Sequence, residues 1–236
     1  MSVPALQSGV LGRCALAGQA VWRVLAVGVV AGLMAWATSA PNAQRMLQSA
    51  KTLGPGAQQE VAALLAMLER LNLSELERAL DDVNRFFNRR VAFKEDREVW
   101  AQADYWASPL ETLSKGAGDC EDFAISKYLT LLAAGVPAER MRLVYVRARI
   151  GGPSGPSQAH MVLAYYAQPQ AEPLILDNLI DEIRPASRRS DLTPVFSFNT
   201  EGLWQGVGTV PAGDPVARLS RWREVLLKAS QEGFLP

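Results

Sequence analysis

Apolar residues recur every three or four positions between residues 57 and 90, which is the spacing of an amphipathic helix. Two such stripes are present: Val61, Leu64, Leu65, Leu68 and Leu71 form the first, and Leu76, Leu80, Val83, Phe86 and Phe87 form the second. Between them, Ser74 and Glu77 have the spacing of a capping box at the start of a helix. The segment 57–90 is therefore predicted to form two helices, as a hairpin or as one bent element, that pack on the residues that follow.

The pattern changes after residue 90. Residues 91–117 are rich in aromatic side chains but show little periodicity, which predicts irregular structure with short helical pieces. A strong helix is predicted to open after Gly116-Ala117-Gly118-Asp119 and to stop at Gly135-Val136-Pro137. A period of two then predicts strands over 141–150, 160–166 and 174–177, a further strand within 195–210, and a closing helix at about 215–229. Helices followed by strands predict an α+β domain in which N-terminal helices pack on an antiparallel sheet.

The first 40 residues have the composition of an export signal. Arg13 and Arg23 are their only charged residues, residues 24–36 are apolar, and Ala37-Thr38-Ser39-Ala40 supplies small residues. This order is typical of a secretory signal peptide, and the apolar stretch is shorter than the roughly 20 residues that span a bilayer. We predict a signal peptide over 1–40, with an uncleaved anchor as the alternative, a linker over 41–56, and one domain over 57–236.

The charge of the chain is balanced, with 24 basic and 24 acidic residues. No basic field argues for nucleic acid as a partner, and no acidic run argues for disorder. Loss of residues 1–40 would remove two arginines and leave a net charge of −2, which does not change this conclusion. Membrane contact is expected only through the signal segment.

The sequence contains two cysteines, Cys14 and Cys120, and one histidine, His160. Once residues 1–40 are removed, Cys120 has no cysteine with which to form an internal disulfide in an oxidising compartment. A lone thiol there risks oxidation, which argues for a chemical role, and a buried inert cysteine is the alternative. One histidine and one cysteine are also too few for a zinc site, which argues against a metal hydrolase.

Three residues lie where nucleophilic catalysis needs them. Cys120 starts a predicted helix, where the helix dipole favours a thiolate and free backbone N–H groups can bind an oxyanion. His160 begins a predicted strand after a Gly/Pro/Ser loop, and Asp177 ends the next strand. If these strands pair antiparallel, both residues lie near the same end of the sheet, where the carboxylate can orient the imidazole. Cys120, His160 and Asp177 are therefore candidate catalytic residues, while a structural histidine and a turn aspartate are the alternatives for the last two.

Three carboxylates crowd around the candidate nucleophile: Asp119, Glu121 and Asp122. Hard oxygen ligands at this density suit Ca²⁺. Without a cation, their charges would raise the pKa of the thiol and oppose thiolate formation. The alternative is that acidic residues favour a helix N-terminus through the helix dipole.

Four segments of the chain carry a resemblance to a known family. They are Asp104-Tyr105-Trp106-Ala107-Ser108-Pro109, Gly118-Asp119-Cys120-Glu121-Asp122-Phe123-Ala124, Ala159-His160-Met161-Val162-Leu163 and Leu176-Asp177-Asn178. In this order they resemble the bacterial transglutaminase-like cysteine proteinases of the LapG type, over about residues 100–204. The resemblance implies a papain/transglutaminase-like core, with Cys120 as the nucleophile, His160 as the general base and acid, and Asp177 as the orienting carboxylate.

The resemblance also implies a biological role. Such enzymes are calcium-dependent periplasmic proteases of Gram-negative bacteria that cleave the N-terminal region of a large surface adhesin at a di-alanine site and so release biofilm cells. An inner-membrane receptor that senses cyclic di-GMP sequesters them. With calcium implied, Asp119 and Glu121 are expected as its first ligands, followed by Asp122 and then Asp104. Trp106 is expected to line the active-site cleft or to support the oxyanion site, and a core aromatic is the alternative.

Two other functions remain open at this point. A thiol acyl-enzyme can pass its acyl group to an amine as well as to water, so transglutaminase-type amide transfer fits the same three residues. A non-catalytic, calcium-dependent binding module is the other possibility, and the intact set of Cys120, His160 and Asp177 argues against it.

Overall fold

A computed structural model describes residues 42–152 and 154–236, so the predicted signal peptide over 1–40 lies outside the described residues. The α-helices are α1 (Ala43–Leu53), α2 (Pro55–Arg70), α3 (Leu76–Arg90), α4 (Asp96–Val99), α5 (Pro109–Lys115), α6 (Cys120–Ala133), α7 (Pro215–Arg218) and α8 (Ser220–Glu232). The strands are β1 (Ala92–Phe93), β2 (Ala117–Gly118), β3 (Met141–Arg149), β4 (Ser157–Tyr165), β5 (Leu174–Leu176), β6 (Arg184–Pro185), β7 (Leu192–Phe198), β8 (Leu203–Gln205) and β9 (Pro211–Gly213). No helix among the described residues is long and apolar enough to cross a membrane.

The main sheet has seven strands in the order β6-β5-β4-β3-β7-β8-β9, and each neighbouring pair is antiparallel. Helix α6 packs on β4 and β3, and α3 and α5 pack on α6. Because α6 is covered by both helices and sheet, its apolar residues are buried around most of its circumference, among them Ile125, Tyr128, Leu129 and Leu131. The predicted α+β fold, with N-terminal helices packed beside an antiparallel sheet, is confirmed.

The predicted linker over 41–56 is wrong for most of its length. Residues 43–53 form α1, and Met46 and Ala50 of this helix are fully buried in the core. Asn42 caps the helix by accepting the N–H of Arg45, and Gly54 takes φ = +111° to turn the chain into α2. Since one short face of α1 supplies the buried contacts, its polar composition hid a packed helix.

The predicted capping box of Ser74 and Glu77 is not formed. Asn72 provides the cap instead, because its side chain accepts the N–H of Ser74 at 3.0 Å and starts a 3₁₀ turn over Leu73–Glu75 before α3 begins. A capping box does occur at α5, where Ser108 accepts the N–H of Glu111 and Glu111 accepts the N–H of Ser108.

Short irregular pieces over 91–117 match the prediction, and one pairing within them matters for the site. Strand β1 lies parallel to β2, with Ala92 opposite Ala117 and Phe93 opposite Gly118. Because β2 leads directly into α6, this pairing brings the start of α4 beside the first turn of α6.

Four predicted elements differ from the structure in their bounds or their number. Strand β4 begins at Ser157, so His160 lies inside the strand, opposite Val146 of β3, and does not begin it. The region 195–210 contains two strands, β7 and β8, and the closing helix is divided at Leu219 into α7 and α8. Strand β5 ends at Leu176, and Asp177 follows it directly.

Candidate active site

Cys120 is the first residue of α6 and is partly buried. Its thiol donates to Oε2 of Glu121 at 3.1 Å, and the backbone N–H of Met161 donates to its sulfur. The hydrogen bond from Met161 holds the sulfur against β4. Met161 directly follows His160 in this strand. Cys120 therefore starts the helix, as its position in the sequence predicted, and its sulfur also contacts the sheet.

His160 and Asp177 are in direct contact. Nε2 of His160 lies 2.8 Å from Oδ1 of Asp177, and both residues are 2% exposed. Leu163 pairs with Leu176 in the register of β4 and β5, so the two residues lie beyond this pair at the same end of the strands. Since an ionised carboxylate only accepts hydrogen bonds, Nε2 is the donor in this contact, which corresponds to the Nε2–H tautomer of the imidazole.

Asp177 is held in its ionised form. Burial alone would raise its pKa, but the hydrogen bond with His160 and the charge of Arg189 outweigh that effect and lower the pKa of Asp177 to about 2. Oδ1 also accepts the N–H of Leu179 at 3.1 Å, and Oδ2 accepts Nη2 of Arg189 at 2.7 Å. The carboxylate is thus charged and fixed behind the imidazole.

A cleft of about 620 Å³ opens over Cys120 and His160. Its walls carry the apolar side chains of Phe93, Trp106 and Leu179, of which Phe93 is 52% exposed and Leu179 is 40% exposed. Such exposed apolar side chains beside a nucleophile suit the binding of a peptide with small or apolar residues. Trp106 both lines the cleft and packs against the hydrophobic core, so the structure fits the cleft expectation and the core alternative together.

The segment that carries Trp106 is held from two sides. Nζ of Lys228 donates to the carbonyl oxygen of Trp106 at 3.0 Å, and the N–H of Ala107 donates to Oδ1 of Asp122 at 2.8 Å. The ring of Trp106 also stacks on Phe198, with 5.8 Å between the ring centroids. This wall of the cleft is therefore fixed to the start of α6 and to α8.

Carboxylates form a cluster beside the thiol. One oxygen from each of Asp96, Asp119 and Asp122 lies within 4.8 Å of the other two, and all three residues are buried. Asp96, Asp104 and Glu121 form a second such group, so Asp96 belongs to both. The four acidic residues that the sequence singled out are thus brought together, and Asp96 is a fifth that it missed.

The cluster is short of positive charge and of hydrogen-bond donors. Oδ1 of Asp96, Oδ1 of Asp119 and Oδ2 of Asp122 are buried and have no hydrogen-bond partner among the described residues. Burial raises the pKa of Asp96 to about 6 and that of Asp119 to about 10, and the charge of Glu121 adds to both shifts. Burial likewise holds the pKa of Asp122 well above its usual value. Asp119 is the N-cap residue of α6 but makes no side-chain capping hydrogen bond to the helix.

Oxygen atoms left without donors in a buried, acidic cluster are suited to a hard divalent cation such as Ca²⁺. Asp96, Asp119 and Asp122 provide the buried oxygens, while Glu121 lies nearer the thiol. Asp104 is the weakest candidate ligand, because it forms an ion pair with Arg221 at 2.8 Å and both side chains are nearly half exposed. The residues present therefore fit a calcium ion.

Asp96 could not be found from the sequence because no spacing marks it. It lies 23 residues before Asp119, among unrelated charged residues, and only the parallel pairing of β1 with β2 brings it to the cluster. Arg189 was missed for the same reason, since its partner Asp177 lies in another strand connection.

The chain matches known proteins in sequence family and in structure. The family model described as bacterial transglutaminase-like cysteine proteinase, BTLCP, matches residues 57–194. Among solved structures, EGTA-treated Legionella pneumophila LapG is similar at 38% identity with a TM-score of 0.69, over 80% of this chain and 99% of that chain. Calcium-bound Legionella pneumophila LapG is similar at 36% identity with a TM-score of 0.66, over 79% of this chain and 98% of that chain. No curated protein sequence matches the chain.

Proposed function

Because the chain belongs to the bacterial transglutaminase-like cysteine proteinases and is a cysteine protease, we propose that it cleaves peptide bonds through an acyl-enzyme on Cys120. The observation that carries this proposal is the His160–Asp177 contact of 2.8 Å in a cleft that also contains Cys120. This arrangement supports His160 as the base for Cys120 and Asp177 as the carboxylate that orients it.

In the proposed mechanism, Nδ1 of His160 takes the proton of the Cys120 thiol, and the sulfur attacks the carbonyl carbon of the scissile peptide. Backbone N–H groups at the start of α6 stabilise the negative oxygen that forms. The imidazolium then gives its proton to the leaving amine, and a thioester remains on Cys120. A water molecule, deprotonated by His160, hydrolyses the thioester and restores the thiol. Throughout, Asp177 keeps the Nε2 proton of His160 in place.

Calcium dependence is the second part of the proposal. Burial raises the pKa of the Cys120 thiol, and the charges of Glu121 and Asp119 raise it further. Asp96, Asp119 and Asp122 would hold the ion, with Glu121 and Asp104 as further candidate ligands that group with Asp96. When bound, Ca²⁺ supplies positive charge that offsets the carboxylates beside the thiol. A similar structure, that of Legionella pneumophila LapG, has been solved in a calcium-bound form.

The biological substrate we propose is the N-terminal region of a large surface adhesin, cleaved at a di-alanine site in the periplasm so that biofilm cells are released. An inner-membrane receptor for cyclic di-GMP is the proposed inhibitor that sequesters the enzyme. Likeness to LapG over nearly the whole of that chain supports this part of the proposal.

A cleavage assay tests the proposal. The chain is mixed with the N-terminal region of a large adhesin from the same organism, in calcium or in EGTA, beside Cys120→Ala. We expect discrete fragments that require both calcium and Cys120. Cross-linked product without fragments would indicate amide transfer, and neither product with an unreactive Cys120 would indicate a binding module. Cleavage by Cys120→Ala at the rate of the unmodified chain would contradict the mechanism.

A further inference from the structure

Arg189 is a buried cation directly behind the His160–Asp177 pair. It follows the 3₁₀ turn Ala186–Arg188 and is 4% exposed. Its Nη2 lies 2.7 Å from Oδ2 of Asp177 and 2.7 Å from Oδ2 of Asp191, and its Nε lies 3.0 Å from Oδ1 of Asp191. The guanidinium thus joins the buried Asp177 to a second aspartate nearer the surface.

The two oxygens of Asp177 have different partners. Oδ1 takes Nε2 of His160 and the N–H of Leu179, while Oδ2 takes Arg189. Rotation of the carboxylate would break the contact with Arg189 as well as the contact with His160. Without Arg189, Oδ2 would be a buried charged oxygen that lacks a donor, a state that favours rotation or water entry.

Lys127 is a second buried basic residue near Asp177, but it forms no hydrogen bond that could orient the carboxylate. Its side chain is fully buried, and its Nζ has no hydrogen-bond partner among the described residues. Burial lowers the pKa of Lys127 to about 7, while the charges of Asp177 and Asp181 act in the opposite direction. Arg189 is therefore the buried cation that hydrogen-bonds the carboxylate: it holds Oδ2, while the N–H of Leu179 holds Oδ1.

We propose that Arg189 is a positioning residue for the hydrolysis, acting through Asp177 to hold His160 in its Nε2–H tautomer with Nδ1 directed to Cys120. This inference rests on the proposed function, and it extends the set of three residues by one. The ion pair with Asp191 anchors the guanidinium, so that a continuous line of contacts runs from Asp191 through Arg189 and Asp177 to His160.

Kinetics give the first test, with calcium present. Arg189→Ala is expected to lower kcat by about 10- to 100-fold while KM changes less, a loss typical of removing a supporting partner. The matched control is Arg188→Ala, because Arg188 is exposed and adjacent. When Asp177→Asn is already present, adding Arg189→Ala is expected to lower kcat by less than about 3-fold. The effects of residues that act as a unit are not additive. Additive losses, or an unchanged kcat in Arg189→Ala, would overturn the proposal.

A conservative variant and chemical rescue separate positioning from folding. Arg189→Lys keeps the charge but loses the two-pronged donor, so it is expected to fold and to retain an intermediate kcat. Guanidinium at about 50 mM is expected to raise the kcat of Arg189→Ala but not that of Arg188→Ala, because it restores the paired N–H donors that the variant lacks. The same concentration of sodium chloride is the control. A folded Arg189→Lys with the kcat of the unmodified chain would contradict the assignment.

A spectroscopic test needs no substrate, so it separates failure of this inference from failure of the proposed function. His160 is the single histidine of the chain, and its imidazole ¹⁵N and ¹H signals need no further assignment. The unmodified chain and Arg188→Ala are expected to show the Nε2–H tautomer with a hydrogen-bonded proton. Arg189→Ala and Arg189→Lys are expected to shift or broaden that proton. Identical signals in all four proteins would refute a positioning role, whatever the substrate proves to be.

Discussion

Gly118 lies directly against the side chain of Asp122. A β-carbon at residue 118 would stand 2.5 Å from Oδ2 and 2.8 Å from Cβ of Asp122. Asp122 is fully buried and accepts the N–H of Ala107, which follows Trp106 in the cleft wall. Residue 118 therefore has to be glycine for Asp122 to keep its place. From that place, Asp122 reaches both the carboxylate cluster and the cleft wall.

Gly118→Ala is expected to destabilise the fold by about 1–3 kcal/mol, the usual cost of overpacking, and to weaken calcium binding because Asp122 is displaced. Gly56→Ala in α2 is the matched control, because a β-carbon there meets nothing within 4 Å. Denaturant unfolding and calcium titration measure the two effects. Equal stability and equal calcium affinity in Gly118→Ala would show that the cluster adapts to the added methyl group.

The substitution Asp96→Asn is expected to leave stability unchanged or higher without calcium, and to lower stability relative to the unmodified chain with calcium. Without the ion, Asp96→Asn removes one charge from a buried, self-repelling cluster, so the variant is expected to unfold at the same or a higher temperature. With calcium, the unmodified chain gains stability as the ion concentration exceeds its dissociation constant, by about 2.7 kcal/mol at a hundredfold excess, and Asp96→Asn gains less. Thermal unfolding in calcium chloride and in EGTA measures both.

The control for this comparison is Asp82→Asn, which changes an exposed aspartate of α3 and is expected to leave the calcium response intact. A calcium gain in Asp96→Asn equal to that of the unmodified chain would remove Asp96 from the ligand set.

Glu232 of α8 should make stability fall as the pH rises. The pKa of Glu232 is raised from 4.5 to about 7, mainly by burial. The charge of Glu111 also raises this pKa, while the hydrogen bond from Ser108 and the charge of Lys228 lower it. The folded chain therefore holds this proton more tightly than the unfolded chain, so the stabilisation is complete below pH 4.5 and is lost as the pH rises through about 7. Within that window, the loss approaches about 1.4 kcal/mol for each pH unit.

Glu232→Gln removes this titration, so its stability relative to the unmodified chain is expected to rise between pH 5 and pH 8, by at most about 1.4 kcal/mol for each pH unit. Saturating calcium keeps the carboxylate cluster constant in both proteins. Urea unfolding at several pH values provides the measurement, and parallel stability curves would show that Glu232 does not titrate in this range.

Local patterns in the sequence were sufficient for the elements that position Cys120. The helix signal after Gly118 predicted the start of α6, and the alternation of apolar residues predicted β3, β4 and β5. The order of these strands put His160 near Asp177 on the condition that β4 and β5 pair antiparallel, and they do. These features depend on neighbours in the chain, so they leave a periodic trace.

Contacts between distant segments left no such trace. Asp96 reaches the cluster only through the pairing of β1 with β2, and Arg189 reaches Asp177 across a turn that no motif marks. Helix α1 has the polar and small composition of a linker, because only Met46 and Ala50 are buried along its length. In each case, tertiary packing determines the role of a residue whose sequence context is ordinary.

The most direct test of Cys120 as the nucleophile is alkylation by iodoacetamide, followed in parallel by peptide mass spectrometry and by cleavage of the adhesin region in calcium. We expect activity to fall in proportion to the label on Cys120 and to vanish when it is complete. Alkylation should be slower in His160→Ala, since the thiolate has lost its base. Full modification of Cys120 with cleavage undiminished would contradict the account.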